Sequence, residues 1–301
     1  MSVSDTTKIG NGSMPCIGFG TYLMTDDECE SAIPIAISNG YVHIDTAEYY
    51  ANHVGIRKGI EVANADRSKL FITDKVSPSI GEDFRTASGD DIKAACKSNL
   101  SKLGMTYIDL LLLHHGMTGP EGRMEQWKAL ISLKSDGIIK YAGVSNWSIK
   151  HLSEIKESGL PLPDANQIEC HPLCTQSALI AYCRENSITV IAYSSLAPAS
   201  TWRVAPGHAS AKEMVHGVAC GEYLQTLVDK YSKSEAQILL KWALQHNYCI
   251  LPKSVKAERI RENIDLFDFN IDDEDMSKLD SFDENLALAW PAFIGNPLDK
   301  P

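Results

Sequence analysis

Eight short apolar runs alternate with longer amphipathic stretches along these 301 residues, and that alternation constrains the fold more than any other feature. The runs are CIGFGT (16–21), YVHID (41–45), LFITDKV (70–76), YIDLLLLH (107–114), IIKYAGVSN (138–146), ANQIE (165–169), ITVIAYSS (188–195) and YCILPKS (248–254). They are nearly continuous in apolar residues, as strands buried on both faces are. Helical spacing fills the gaps. Ile92, Cys96, Leu100 and Leu103 share one helical face. Ile238, Leu239, Trp242 and Ala243 share another, opened by a capping-box-like SEAQ at 234–237. Pro34 is expected to kink or interrupt the helix after the first run, with Gly40 capping its end. A further helix is expected to start near Asp272. Eight such units without a linker predict an α/β chain forming one (β/α)8 TIM barrel, a single domain over residues 1–301, with a doubly wound sheet as the alternative. KIGNGSMPC (8–16) reads as an N-terminal β-hairpin across the barrel bottom, turning at Asn11-Gly12.

Composition narrows the function. A net charge of −11 argues against general nucleic-acid binding and makes a local basic cluster informative. No apolar run approaches a membrane span, and the first residues lack the features of a signal peptide, so a cytoplasmic address is expected. The eight cysteines are scattered without a CxxC and are expected to be reduced and mostly buried. ECHPLC, with Cys170, His171 and Cys174, invites a metal reading but has no matching second half, so no metal is expected. There is neither a GxGxxG nor a GxxxxGK[ST] phosphate loop.

In a barrel of this kind the chemistry sits at the C-terminal ends of the strands. Those ends carry Thr21, Asp45, Lys75, His114, Ser145 with Asn146, Gln167 with Glu169, Tyr193 with Ser194, and Lys253 with Ser254. Asp45 and Lys75 come from successive strands and are placed to pair. Tyr50 follows Asp45 by five residues and can reach over the same opening. An ammonium beside a phenol stabilises the phenolate and makes the phenol a better acid. With His114 orienting an oxygen, the set suits proton donation to a carbonyl. LPKSVKAERIRENI (251–264) gathers Lys253, Ser254 and Arg259 where the last strand feeds a helix, a setting for phosphate, with Glu262 and Asn263 placed to read an adenine.

On these residues the chain resembles the aldo-keto reductase superfamily from about residue 8 to 264. The motifs are GFGTY (18–22), HIDTAEYYAN (43–52), DLLLLHH (109–115), GVSNW (143–147), NQIECHP (166–172), AYSSL (192–196) and LPKS…ERIREN (251–263). The resemblance implies a catalytic tetrad of Asp45, Tyr50, Lys75 and His114, with Tyr50 as proton donor. It also implies hydride transfer from NADPH to an aldehyde or ketone. Tyr193 matches the ring that stacks on nicotinamide, and Ser145, Asn146 and Gln167 match the residues holding its carboxamide. Ser194 and Leu196 match the pyrophosphate stretch. Lys253, Ser254 and Arg259 match the 2′-phosphate cradle, and Glu262 and Asn263 the adenine contacts. Thr21, Asp45 and Val255 complete the implied cofactor set. Substrate contacts fall on Tyr22, His114, His115 and Trp147, with Trp202 and Trp290 as further candidate walls. The loop 196–217 and the tail 286–301 would close over the active-site face. His53 stands where the family usually has glutamate, His115 and Gly116 replace an aromatic-proline pair, Tyr22 replaces tryptophan and Trp147 phenylalanine. The expectation is a monomeric NADPH-dependent carbonyl reductase acting on a small molecule. The alternatives are an NADPH-binding regulatory subunit or redox sensor on the same fold, and a metal-dependent barrel hydrolase.

Overall fold

Each of the eight apolar runs contains a strand in the computed structural model, which describes residues 5–81, 83–200, 215–289 and 297–299. A hairpin of β1 (Thr6–Ile9) and β2 (Gly12–Pro15) comes first. Then follow β3 (Phe19–Gly20), α1 (Asp26–Ser38), β4 (His43–Asp45), α2 (His53–Val62) and β5 (Phe71–Val76). A small hairpin of β6 (Ser79–Ile80) and β7 (Arg85–Thr86) precedes α3 (Gly89–Leu103) and β8 (Ile108–Leu113). The chain continues through α4 (Pro120–Ser135), β9 (Ile139–Ser145), α5 (Ile149–Glu157), β10 (Ala165–Glu169), α6 (Ser177–Glu185) and β11 (Thr189–Tyr193). It ends with α7 (Val215–Tyr231), α8 (Glu235–Gln245), β12 (Cys249–Ile250), α9 (Ala257–Glu262) and α10 (Asp273–Asp280). No helix among the described residues is long and apolar enough to cross a membrane.

The sheet order is β3-β4-β5-β8-β9-β10-β11-β12, and every neighbour pair is parallel. The seam closes: Ile17 bridges Ile250 in parallel, and the Gly18 and Gly20 amides donate to the Ile250 and Pro252 carbonyls at 2.8 and 3.0 Å. The result is a closed eight-stranded barrel, as the alternation predicts. The doubly wound alternative is excluded.

Strand parity sorts the side chains. Phe71, Leu110, Leu112, Ala165, Ile191 and Cys249 fill the interior, and Ile9 and Met14 of the first hairpin join the same cluster. That hairpin therefore plugs the barrel bottom. Its turn lies one residue earlier than the sequence suggests, at Gly10-Asn11, with Ile9 paired to Gly12 and Gly10 at φ +50°. The helices pack outside on a second, larger cluster, into which α3 places Ile92, Cys96, Leu100 and Leu103. The capping box at Ser234 and Gln237 opens α8 as expected. Helix α1 runs through Pro34 to Ser38 without interruption, contrary to expectation, and Gly40 follows its Asn39 cap. Packing offsets the lost donor, because Cys29, Ala32, Ile33 and Ala36 are all buried.

Candidate active site

The parity that sends Phe71 into the barrel also sends Lys75 inward, at the top of β5. Asp45 closes β4 beside it. Both are buried, at 1% and 4% exposure. Lys75 Nζ donates to Asp45 Oδ1 at 2.6 Å, to the Thr46 carbonyl at 2.8 Å and to the Tyr50 hydroxyl at 3.4 Å. From β10, across the barrel, Gln167 Nε2 donates to Asp45 Oδ2 at 2.8 Å. Burial pushes the Asp45 carboxyl up. Burial alone would push Lys75 down, but Asp45 and the Tyr50 oxygen outweigh it and hold the ammonium above its ordinary value. The two upward directions pull apart on the ionisation of Asp45. The geometry decides for an ion pair: one carboxylate oxygen faces the ammonium, and the other has its own donor.

Tyr50 ends a short 3₁₀ turn, Glu48–Tyr50, which Ala51 closes at φ 53°. Asn52 fixes that turn from below. Its Oδ1 accepts from Thr46 Oγ1 at 2.9 Å, and its Nδ2 donates to the Thr21 and Met24 carbonyls at 2.9 and 3.1 Å. The Tyr22 ring meets Tyr50 edge-on at 5.0 Å between centroids. His114, just past β8, lies 5.9 Å from the Tyr50 ring. Burial, then the charges of Lys75 and His115, hold His114 well below the usual imidazole range, so it is neutral at pH 7. Its Nδ1 is buried without a hydrogen-bond partner among the described residues. The structure thus brings all four tetrad candidates together.

Tyr49 was not among the candidate residues. It is 50% exposed, and its ring sits 5.4 Å from that of His114. Ser77 Oγ lies 2.7 Å from the Tyr49 hydroxyl and 2.5 Å from the Ser79 carbonyl. One serine proton serves only one of them, so Ser77 fixes Tyr49 while Tyr50 alone faces the ammonium. The adjacency of two tyrosines was the available signal.

Ser145, Asn146, Gln167 and Tyr193 also converge. Ser145 Oγ donates to the Gln167 carbonyl at 2.9 Å. Asn146 Nδ2 donates to the His114 carbonyl and to Ser145 Oγ, both at 3.1 Å, and Tyr193 OH donates to Asn146 Oδ1 at 2.7 Å. Thr21 is fully buried and donates to the Asp45 carbonyl at 2.9 Å, bracing the strand end.

Two substrate candidates belong elsewhere. Trp147 has no exposed surface: it lies in the outer core against His151 and the bare face of Gly116. His115 is 2% exposed, accepts from the Met117 amide at 3.3 Å, and is pushed down to about 4 by burial. Tyr22, at 38% exposure, stays at the mouth. Trp202, Trp290 and most of the loop 196–217 and tail 286–301 lie outside the described residues. His53 has a partner that accounts for it: Nε2 meets the fully buried Asp74 Oδ1 at 3.0 Å, behind the tetrad strand.

The basic cluster surrounds the junction of β12 and α9. Lys253 is half-buried and Arg259 exposed, and neither has an ion-pair partner among the described residues. Ser254 is buried beside them and accepts from the Lys256 amide at 3.0 Å, while Val255 is exposed. Glu262 ends the short helix α9 half-buried, and Asn263, which caps it, is buried. Half-buried Ser194 and Leu196 follow β11. Ser195 lies between them, and its Oγ is buried without a partner among the described residues. Among the described residues no three His, Cys, Asp or Glu side chains are grouped to hold a metal.

Known proteins resemble this chain over nearly its whole length. The Aldo/keto reductase family model matches residues 8–284. A glyoxal reductase from Bacillus subtilis (strain 168) is 36% identical, over 94% of this chain and 95% of its own. A methylglyoxal reductase from Escherichia coli (strain K12) is 33% identical, over 93% and 94%. The crystal structure of a Bombyx mori aldo-keto reductase in complex with NADP superposes with a TM-score of 0.82 at 28% identity, covering 100% of this chain and 99% of that one.

Proposed function

Because the chain belongs to the aldo/keto reductase family, we propose that it reduces a small aldehyde or ketone to the alcohol with NADPH, with Tyr50 donating the proton. One observation carries this reading: the Lys75 ammonium lies 2.6 Å from Asp45 and 3.4 Å from the Tyr50 hydroxyl, beneath His114. The residues present fit the cofactor. Lys253 and Arg259, without an ion-pair partner among the described residues, lie beside a strand-to-helix junction, as a phosphate requires. The Ser195 hydroxyl, just past β11, is buried without a partner among the described residues.

When bound, NADPH supplies the hydride that the carbonyl carbon receives. The chain's own residues do the rest. Asp45 keeps Lys75 charged and aimed, and Gln167 and Thr21 hold Asp45. The ammonium favours the phenolate that Tyr50 becomes once its proton has gone to the carbonyl oxygen. His114, neutral and with Nδ1 unpartnered among the described residues, orients that oxygen by hydrogen bond. Burial of the pair strengthens each of these interactions relative to water. The Bacillus and Escherichia relatives are named for glyoxal and methylglyoxal, so short dicarbonyls head the substrates to test.

The test is steady-state NADPH oxidation with a panel of aldehydes and dicarbonyls, wild type against Tyr50→Phe. Loss of a general acid should lower kcat by about 10²–10⁴-fold, with NADPH affinity unchanged. If NADPH binding falls together with turnover, Tyr50 is structural and the reading fails.

A further inference from the structure

Glu169 closes β10 at the barrel mouth, and the chemistry above leaves it unused. It is 3% exposed, yet three N–H donors converge on its carboxylate. His171 Nε2 lies 3.0 Å from Oε1. The Leu288 amide donates to Oε1 at 2.7 Å, and the Ala289 amide to Oε1 and Oε2 at 2.9 and 3.0 Å. These amides belong to the C-terminal segment, more than a hundred residues away in sequence.

The rest of the ECHPLC run prepares the seat. His171 and Cys174 exchange backbone hydrogen bonds at 2.8 and 3.2 Å, and Cys170, Leu173 and Cys174 are fully buried. The Leu173 carbonyl accepts from the Glu284 and Leu286 amides at 3.2 and 3.0 Å. Asp283 takes the Thr175 amide and hydroxyl at 3.0 and 2.6 Å. Residues 283–289 therefore lie along the loop after β10, held at three stations. The last is the buried Glu169, which is in register with Tyr193 on the next strand.

We propose that Glu169, braced by His171, is the anchor that seats the 283–289 strap at the barrel mouth, and that the seated strap positions the wall against which the carbonyl substrate binds. The second half rests on the reading of the site as a carbonyl reductase. A carboxylate suits the anchoring role because it only accepts, through two oxygens. An amide in its place would turn an N–H group toward N–H donors.

Glu169→Gln in the full chain tests this. Hydrogen exchange at the Leu288 and Ala289 amides should quicken at least about tenfold, while amides of β5 and β8 keep wild-type protection. KM for the carbonyl should rise about fivefold or more with kcat changed less than about threefold, the mark of lost uniform binding, and NADPH affinity should hold. Unchanged exchange at 288–289 overturns the anchor. A freed strap with unchanged KM overturns its place in the site. If the variant does not fold, wild-type exchange decides: unprotected Leu288 and Ala289 amides overturn the proposal and protected ones support it. Absence of any wild-type NADPH oxidation would strike the reductase reading, and the substrate half with it, while exchange still judges the anchor.

Discussion

A buried ammonium is stable only against a counter-charge, which makes Lys75 and Asp45 a single unit. Lys75→Met leaves the buried Asp45 carboxylate with Gln167 as its one side-chain donor among the described residues, and breaking such a pair costs about 3–5 kcal/mol. Adding Asp45→Asn removes the uncompensated charge, so the double variant should be more stable than Lys75→Met alone. Urea unfolding of both singles and the double gives the coupling; additive losses would mean that the two side chains do not act together. Neither variant should turn over. These residues were legible because the sequence places them at strand ends, where parity fixes their direction. Trp147 and His115 were not legible for the same reason. His115 follows His114, so alternation turns it outward. Asn146 takes a left-handed φ of 60°, which swings Trp147 off the inner face and into the packing beneath α5. Spacing along the chain records closeness to a strand end, but not a reversal of direction just beyond it.

Between elements, close approach is decided by where a Cβ is absent. On α2, Gly55 faces the backbone of α1: an added Cβ would stand 2.2 Å from the Asp26 carbonyl oxygen, a backbone atom and not the far end of a flexible side chain. Its amide also donates to Asp26 Oδ1 at 2.6 Å. Gly55→Ala should therefore destabilise by about 1–3 kcal/mol through overpacking. In α7, Gly221 has nothing within 4 Å of that position among the described residues, so Gly221→Ala should stabilise by about 0.5–1 kcal/mol through helix propensity. Thermal unfolding should show shifts of opposite sign; two shifts of the same sign would contradict the helix contact described here. Element type was readable from periodicity, which reports burial directly. Boundaries were less so: the runs at 16–21 and 248–254 yield two-residue strands, because the chain at the seam pairs through the single Ile17–Ile250 bridge and the Gly18 and Gly20 amides. Pro34 misled because a proline removes one donor, whereas the buried face of α1 retains the helix.

At the scale of the whole molecule, closure of the barrel followed from eight repeated units, but the strap seat did not. Glu169 and Leu288 lie 119 residues apart in sequence, and no local pattern announces a contact of that separation. Closure also buries histidines, and this predicts the acid behaviour of the fold. Burial pushes His43 down to about 3 and His115 to about 4, and His114 lies well below its ordinary value for the same reason. An unfolded histidine titrates near 6.5. Between that pH and the folded values the unfolded chain binds more protons, so stability is complete above about 6.5 and falls as pH drops, by about 1.4 kcal/mol per pH unit for each histidine. Asp275 and Asp283 are held low by hydrogen bonds that outweigh their burial, so their contribution is lost only below about 4, the usual aspartate range. The histidine limb is therefore separate from the carboxylate limb. His115→Gln removes one titrating group outside the tetrad. Its stability deficit relative to wild type should shrink by about 1.4 kcal/mol per pH unit between pH 6.5 and 4.5. Urea midpoints collected across that range check the slope; a deficit independent of pH would mean that His115 is protonated as readily in the barrel as in the open chain.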